Sequence, residues 1–271
     1  MNDTTVSILG CGWMGLPLAR HLVRLGYAVK GSTTSPDKLP ILERSKVKPF
    51  LIKAAPQMTG QDLEAFFQSK ILFLNIPFRR SLKDPRSYKQ QLDAVAARVA
   101  TSPVEFVIFA SSTSVYPASL KEALEDVSFI PDNPRSKVLR EAVQMFLTNS
   151  HFETTVIRFA GLYGGTRQIG RILAGRAGLP DAQGPVNLIH LDDCVDIVAR
   201  IIAKDIRGEI FNACSDGHPA RKDIYTEAAG HFGLEPPQFS HQPQIRFKIV
   251  SNAKLKERLG YAFKHPDPLD F

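Results

Sequence analysis

Residues 5–15 read TVSILGCGWMG, a short β-prone run followed by Gly10, Gly12 and Gly15 at G-x-G-x-x-G spacing. Gly10 permits a tight turn, Gly12 leaves backbone uncovered for a pyrophosphate to approach, and Gly15 lets a helix pack closely on the strand. The helix that follows offers free N–H groups and a partial positive charge to the phosphates. A second β-rich run at 28–33 completes a strand–helix–strand unit, the context that gives the motif its specificity. A bare strand-to-helix turn is the alternative, and the context favours dinucleotide binding over it. Cys11, Trp13 and Met14 occupy the variable loop positions and count with the glycines as cofactor-binding candidates, although packing is the plainer role for Trp13 and Met14.

Outward from this loop, apolar β-rich runs at 5–9, 28–33, 49–53, 71–76, 105–110 and 154–159 alternate with helix-period segments at 14–25, 37–44, 62–67, 88–100 and 135–149. That order predicts an α/β fold, a Rossmann-type doubly wound parallel sheet with helices on both faces. After Gly161 the rhythm breaks into GLYGGTRQIGRILAGRAGLPDAQG and then resumes with a short run at 186–190, a helix at 192–203 and a strand at 209–212. The chain therefore reads as a dinucleotide-binding domain of residues 1–164 and 186–213 with a small, discontinuous C-terminal substrate lobe of residues 165–185 and 214–271. A length of 271 residues accommodates one core with a smaller lobe attached.

Composition narrows the function classes. With 44% apolar and 23% charged residues the chain resembles an ordinary globular protein. It opens without a basic region leading into an apolar run, and a cytoplasmic protein with no membrane association is expected. Cys11, Cys194 and Cys214 lack metal-type or redox-type spacing and read as reduced thiols. The net charge of +7 is scattered without a nucleic-acid motif, so an anionic small molecule is the expected partner rather than nucleic acid. A monomer or homodimer is expected. The seven histidines do not pair with acids at ligand spacing on a shared face, and no metal site is expected.

Cofactor choice is read after the second strand. NAD sites place a carboxylate there, yet Ser32, Thr33 and Thr34 are followed by no acid before Asp37, and Lys38 is close. Hydroxyls and a cation suit a 2′-phosphate, so NADP(H) is favoured over NAD(H). Asn75, Ile76 and Pro77 after the fourth strand, and Ser111 after the fifth, complete the expected cofactor contacts, because strand carboxyl ends face the crevice in this fold class.

Downstream motifs choose among families. The segments ASSTSVY (110–116), RFAGLYG (158–164), NLIHLDD (187–193) and FNA (211–213) resemble landmarks of the extended short-chain dehydrogenase/reductase superfamily. HPARKDIY, GLEPPQF and YAFKHPDP are similar to its atypical YeeZ-type subgroup of NAD(P)-dependent epimerase/dehydratase-like proteins. The resemblance implies a Ser/Thr-Tyr-Lys site: Ser112 matches the hydroxyl residue that holds the substrate oxygen, and Lys137 matches the Lys that lowers the proton affinity of the Tyr. The Tyr should stand at 133, four residues before Lys137, but residue 133 is Asn. An amide relays no proton near neutral pH. Three readings stay open: Tyr116 or Tyr163 supplies the proton, although a structural role is the plainer one for each; chemistry proceeds slowly with water and Ser112 alone; or the protein is a dinucleotide-sensing binder without turnover.

Several other groups deserve placement. Thr113, Tyr163, Arg167, Arg171 and Arg221 are substrate candidates, with Arg176 beside them, because Arg forks bind phosphate or carboxylate bidentately. Arg79, Arg80, Lys83 and Arg86 follow the fourth strand, where solvated surface charge is an equal reading. His190, Asp192 and Asp193 sit at a strand-to-helix junction, where capping and anchoring outweigh chemistry.

Overall fold

A computed structural model describes residues 4–54, 57–79, 81–240 and 247–270. Its first strand, β1 (Thr5–Leu9), buries Val6, Ile8 and Leu9, as a strand covered on both faces must. Ser7 is also buried there, and its hydroxyl is satisfied by donating to the Phe66 carbonyl at 2.6 Å. The amphipathic α1 (Gly15–Arg24) buries Leu18, Ala19 and Leu22, and leads into β2 (Ala28–Thr33). A single 3-10 turn over Pro36–Lys38 then precedes α2 (Leu39–Arg44) and β3 (Lys48–Ala54). Next come β4 (Met58–Gly60), α3 (Leu63–Phe67), the fully buried β5 (Ile71–Leu74), α4 (Arg86–Ala100) and β6 (Phe106–Ser112).

The remaining elements are β7 (Glu122–Ala123), α5 (Pro134–Leu147), β8 (Glu153–Phe159), β9 (Gly161–Tyr163), α6 (Gly170–Leu173), β10 (Leu188–His190) and α7 (Leu191–Ala203). After them follow β11 (Ile210–Ala213), α8 (Arg221–His231), β12 (Ile249–Val250) and α9 (Ala253–Leu259).

Among the described residues the central sheet has eight strands in the order β11-β8-β6-β5-β1-β2-β3-β4. The pairs of β1 with β2 and β5, of β2 with β3 and of β5 with β6 are parallel, while β4 adds an antiparallel edge. The Rossmann-type expectation is met. Strand order reverses direction at β1, which has β2 on one side and β5 on the other; the carboxyl ends of these strands form the crevice where such sheets bind ligands. The loop of Gly10 to Gly15 emerges there. Among the described residues no helix is long and apolar enough to cross a membrane.

Two compact units divide the chain: Met1–Ser111 with Asn133–Ile157 and Val198–Ile210, and Ser112–Asp132 with Arg158–Ile197 and Phe211–Phe271. The second unit takes the whole expected lobe of 165–185 and 214–271 and adds 112–132, 158–164, 186–197 and 211–213. Long-range pairing explains the larger share. Inside the second unit β7 pairs with β12, and Tyr116, Glu125, Arg158 and Asn212 share one hydrogen-bonded network. A separate apolar cluster there packs Tyr163, Ile169, Leu173, Leu188, Ile224 and Ala228.

Candidate functional site

The glycine loop of the first unit is built by three different constraints. Gly10 has φ +112°, and a Cβ on it would stand 2.5 Å from the Asn75 carbonyl oxygen. Gly15 tolerates no side chain either, since a Cβ would meet the Gly10 carbonyl oxygen at 2.2 Å. Gly12 is the opposite case: it is exposed, and a Cβ on it would meet nothing within 4 Å. The loop is therefore closed beneath and open above. Its shape is fixed by Ser32, whose hydroxyl accepts the Gly10 N–H at 2.9 Å, and by Asn75, whose side-chain amide donates to the Gly10 carbonyl at 3.0 Å. The Gly12 carbonyl accepts the Leu16 N–H at 3.1 Å to open the helix. No side chain caps Met14 and no acid lies in the first turn, which leaves the positive end of α1 directed at the open face.

The other expected cofactor residues divide between that face and the core. Cys11 and Met14 are buried, and the Cys11 thiol, pushed up to about 12 by burial, faces inward against Gly31. Ser32 is buried and spends its hydroxyl on Gly10, so it shapes the loop rather than reaching a ribose. Thr33 is buried as well and accepts the Ser35 N–H at 3.2 Å. Trp13 is half-buried, whereas Thr34 and Lys38 are exposed beyond β2. Asn75 and Ile76 are half-buried and Pro77 is exposed in the segment after β5. Ser111 is buried, and its hydroxyl has no hydrogen-bond partner among the described residues. The open cradle at Gly12 and this orphaned hydroxyl both fit a dinucleotide.

Sequence reasoning missed what holds the 75–79 segment. Arg135 on α5 donates to the Phe78 and Arg79 carbonyls at 3.0 and 3.1 Å and lies 4.0 Å over the Phe78 ring. Phe78 stacks on Tyr88, whose hydroxyl donates to the Ile76 carbonyl at 3.2 Å. Arg79, Lys83 and Arg86 are exposed, Arg86 at the start of α4, and Arg80 lies outside the described residues.

The catalytic candidates fare unequally. Lys137 is exposed in the first turn of α5. Asn133 is the N-cap of that helix: its Oδ1 accepts the Arg135 and Ser136 N–H groups at 3.0 and 2.9 Å, and Ser136 completes a capping box. The amide thus has a structural task at the position where the resemblance expects a Tyr. Ser112 is half-buried and accepts the Ser114 N–H at 3.1 Å, while Thr113 is buried.

Tyr116 is held in the core of the second unit. It is buried, with two acceptors in reach of its one hydroxyl hydrogen, Asn212 Oδ1 at 2.9 Å and the Leu124 carbonyl at 3.0 Å, while Arg158 Nη1 donates to its oxygen at 2.5 Å. Burial above all pushes its pKa up, against the lowering pull of Arg158. Glu125 accepts the Asn212 N–H at 2.7 Å and is raised in turn by burial. Tyr163 is also in the core, inside the apolar cluster of the second unit, and burial and the nearby Asp193 charge raise its pKa. Both hydroxyls weighed as stand-ins for the missing Tyr sit on buried rings.

Of the substrate candidates, Arg167, Arg171 and Arg176 are exposed. Arg171 Nε donates to Gln168 Oε1 at 2.6 Å, a local contact on one short segment. Arg221 opens α8 half-buried, its charge acting on Asp181.

No family model matches the chain. Protein YeeZ of Escherichia coli (strain K12) is 32% identical to it over 267 residues, 97% of each chain. The chain belongs to the YeeZ family. Solved structures share the fold of this family member at lower identity. A functionally unknown conserved protein from Silicibacter pomeroyi DSS aligns with TM-score 0.78 at 23% identity, over 98% of this chain and 96% of that one. The UDP-glucuronic acid 4-epimerase of Bacillus cereus, in complex with NAD, aligns with TM-score 0.79 at 18% identity over the same shares. The resemblance to extended short-chain dehydrogenases/reductases therefore extends to the architecture.

In this YeeZ-family chain the NLIHLDD segment has a further role that spacing did not disclose. Asp193 is fully buried, and instead of capping α7 it holds the C-terminal tail: Oδ1 accepts the Tyr261 hydroxyl at 2.7 Å and the Lys264 N–H at 2.8 Å, and Oδ2 accepts the His265 N–H at 3.2 Å. Asp192 faces two histidines, with Oδ2 3.5 Å from His190 Nδ1 and 3.3 Å from His265 Nε2. Burial, and then the nearness of His265, hold the His190 pKa below its ordinary value. Cys194 and Cys214 are buried thiols raised by desolvation.

Proposed function

We propose that the chain binds a nicotinamide dinucleotide across the glycine loop, NADP(H) in preference to NAD(H), and acts as an epimerase/dehydratase-like or oxidoreductase enzyme on a small, anionic carbonyl or sugar-related substrate. The observation that carries the reading is the backbone of Gly12, uncovered between two glycines that admit no side chain. Exposed Thr34 and Lys38, with no acid between β2 and Asp37, support the 2′-phosphate preference. The shared fold of an NAD-bound UDP-sugar epimerase supports the reaction class. In this reading Ser112 orients the substrate oxygen and Lys137 supplies positive charge beside the cofactor. The bound dinucleotide would supply hydride transfer. Thr113, Arg167, Arg171 and Arg221 are the residues offered to an anionic substrate.

One observation favours a second reading, a dinucleotide-sensing protein without turnover: Asn133 caps α5, and Tyr116 and Tyr163 are committed to the core. Titration with NADPH and NADH tests the cofactor; tighter NADH binding refutes the preference. A turnover screen with carbonyl compounds and nucleotide sugars, paired with Ser112→Ala, separates the two readings. Turnover that disappears in the variant supports the enzyme, and cofactor binding without turnover supports the sensor.

A further inference from the structure

We propose that His190, Asp192 and His265 form a binding site for a divalent first-row cation of Zn2+ type. Asp192 Oδ2 stands 3.5 Å from His190 Nδ1 and 3.3 Å from His265 Nε2, and the three ligand atoms lie within 4.8 Å of one another. A tetrahedral ion with bonds of about 2.0–2.1 Å sets neighbouring ligand atoms about 3.3–3.4 Å apart. Both carboxylate-to-imidazole separations match that edge. Two imidazole nitrogens and one carboxylate oxygen suit zinc and leave a fourth position for water or another ligand.

Local contacts place both histidines, as they generally place metal-ligating ones. His190 presents Nε2 to Gly164, where φ is +95° and a Cβ would come within 2.2 Å of that nitrogen. Its Nδ1 accepts the Asp192 N–H at 3.2 Å, which fixes Nδ1 as the unprotonated nitrogen; an arriving cation takes over that lone pair. The backbone of His265 is pinned by its N–H donating to Asp193. The two rings approach with centroids 3.7 Å apart, so a cation bound at their nitrogens would also stitch the tail to the β10–α7 junction. A hydrogen-bonded His-Asp-His cluster that binds no metal is the competing account of the same distances. Exposed Asp192 and half-buried His265 leave the site open to solvent.

The test uses untagged, chelator-treated full-length protein titrated with Zn2+ against a chromophoric indicator, together with thermal melts with and without Zn2+. The expected result is one equivalent bound, with affinity at least tenfold weaker in both Asp192→Asn and His265→Ala, and a Zn2+-dependent rise in Tm confined to the wild type. Co2+ loading should give the intense visible absorption of a tetrahedral ion. Equal Zn2+ uptake by wild type and variants overturns the proposal, as does no uptake by the wild type. Loss in His265→Ala with Asp192→Asn unaffected overturns it too, because the carboxylate is then no ligand. Asp192→Asn changes an exposed side chain, so the comparison survives any loosening of the tail in the histidine variant.

Discussion

Gly10, Gly12 and Gly15 make different demands, and substitution separates architecture from ligand binding. Gly15→Ala drives a methyl into the Gly10 carbonyl oxygen, and a loss of about 1–3 kcal/mol in unfolding free energy is expected from overpacking. Gly12→Val meets open space, so Tm should hold while dinucleotide affinity falls at least tenfold, about 1.4 kcal/mol. Parallel urea unfolding and cofactor titration check both; unchanged affinity in Gly12→Val would remove the loop from the binding site. These glycines were legible because their roles lie in local backbone geometry. Tyr116 was not, since its partners Arg158 and Asn212 are remote in sequence. Tyr116→Phe should cost about 1–3 kcal/mol by stranding buried polar partners. A stability unchanged by that substitution would contradict its structural assignment.

Among elements, long periodic segments were readable and short ones were not. The runs at 5–9 and 28–33 match β1 and β2, and the helix expected at 88–100 begins two residues earlier, at Arg86. β4, β7 and β12 are too short to show an alternating pattern, and exist because a neighbouring strand offers unpaired backbone groups. α5 carries the most instructive case. Asn133 appears in the sequence only as the wrong residue for proton transfer, yet its place before Pro134 at the helix start is a capping signal. Asn133→Ala should destabilise the protein by about 1 kcal/mol and Asn133→Asp by much less, because a carboxylate caps as well. Thermal melts of the two variants read the difference; equal losses would mean that the cap contributes nothing.

At the scale of the whole chain, the sequence reading set the edges of a second lobe where the strand–helix rhythm breaks, whereas the second unit is assembled by distant segments that meet. Asp193 is its clearest tie. One fully buried carboxylate receives the Tyr261 hydroxyl and the backbone N–H groups of Lys264 and His265, so the last stretch of chain is fastened by a residue about seventy positions earlier. No local pattern announces such a bond, because Asp at a helix start ordinarily reads as a cap. In Asp193→Asn the amide offers one acceptor and turns N–H groups toward at least one of these donors. Hydrogen bonds to a charged group contribute about 1.5–3 kcal/mol each, so a loss on the order of 3 kcal/mol is expected. The loss should be uneven across the molecule. Hydrogen exchange and limited proteolysis should report opening at 261–270 before the glycine loop is affected, with cofactor titration little changed. If protection were lost uniformly, the tail would instead open in one cooperative step with the glycine loop.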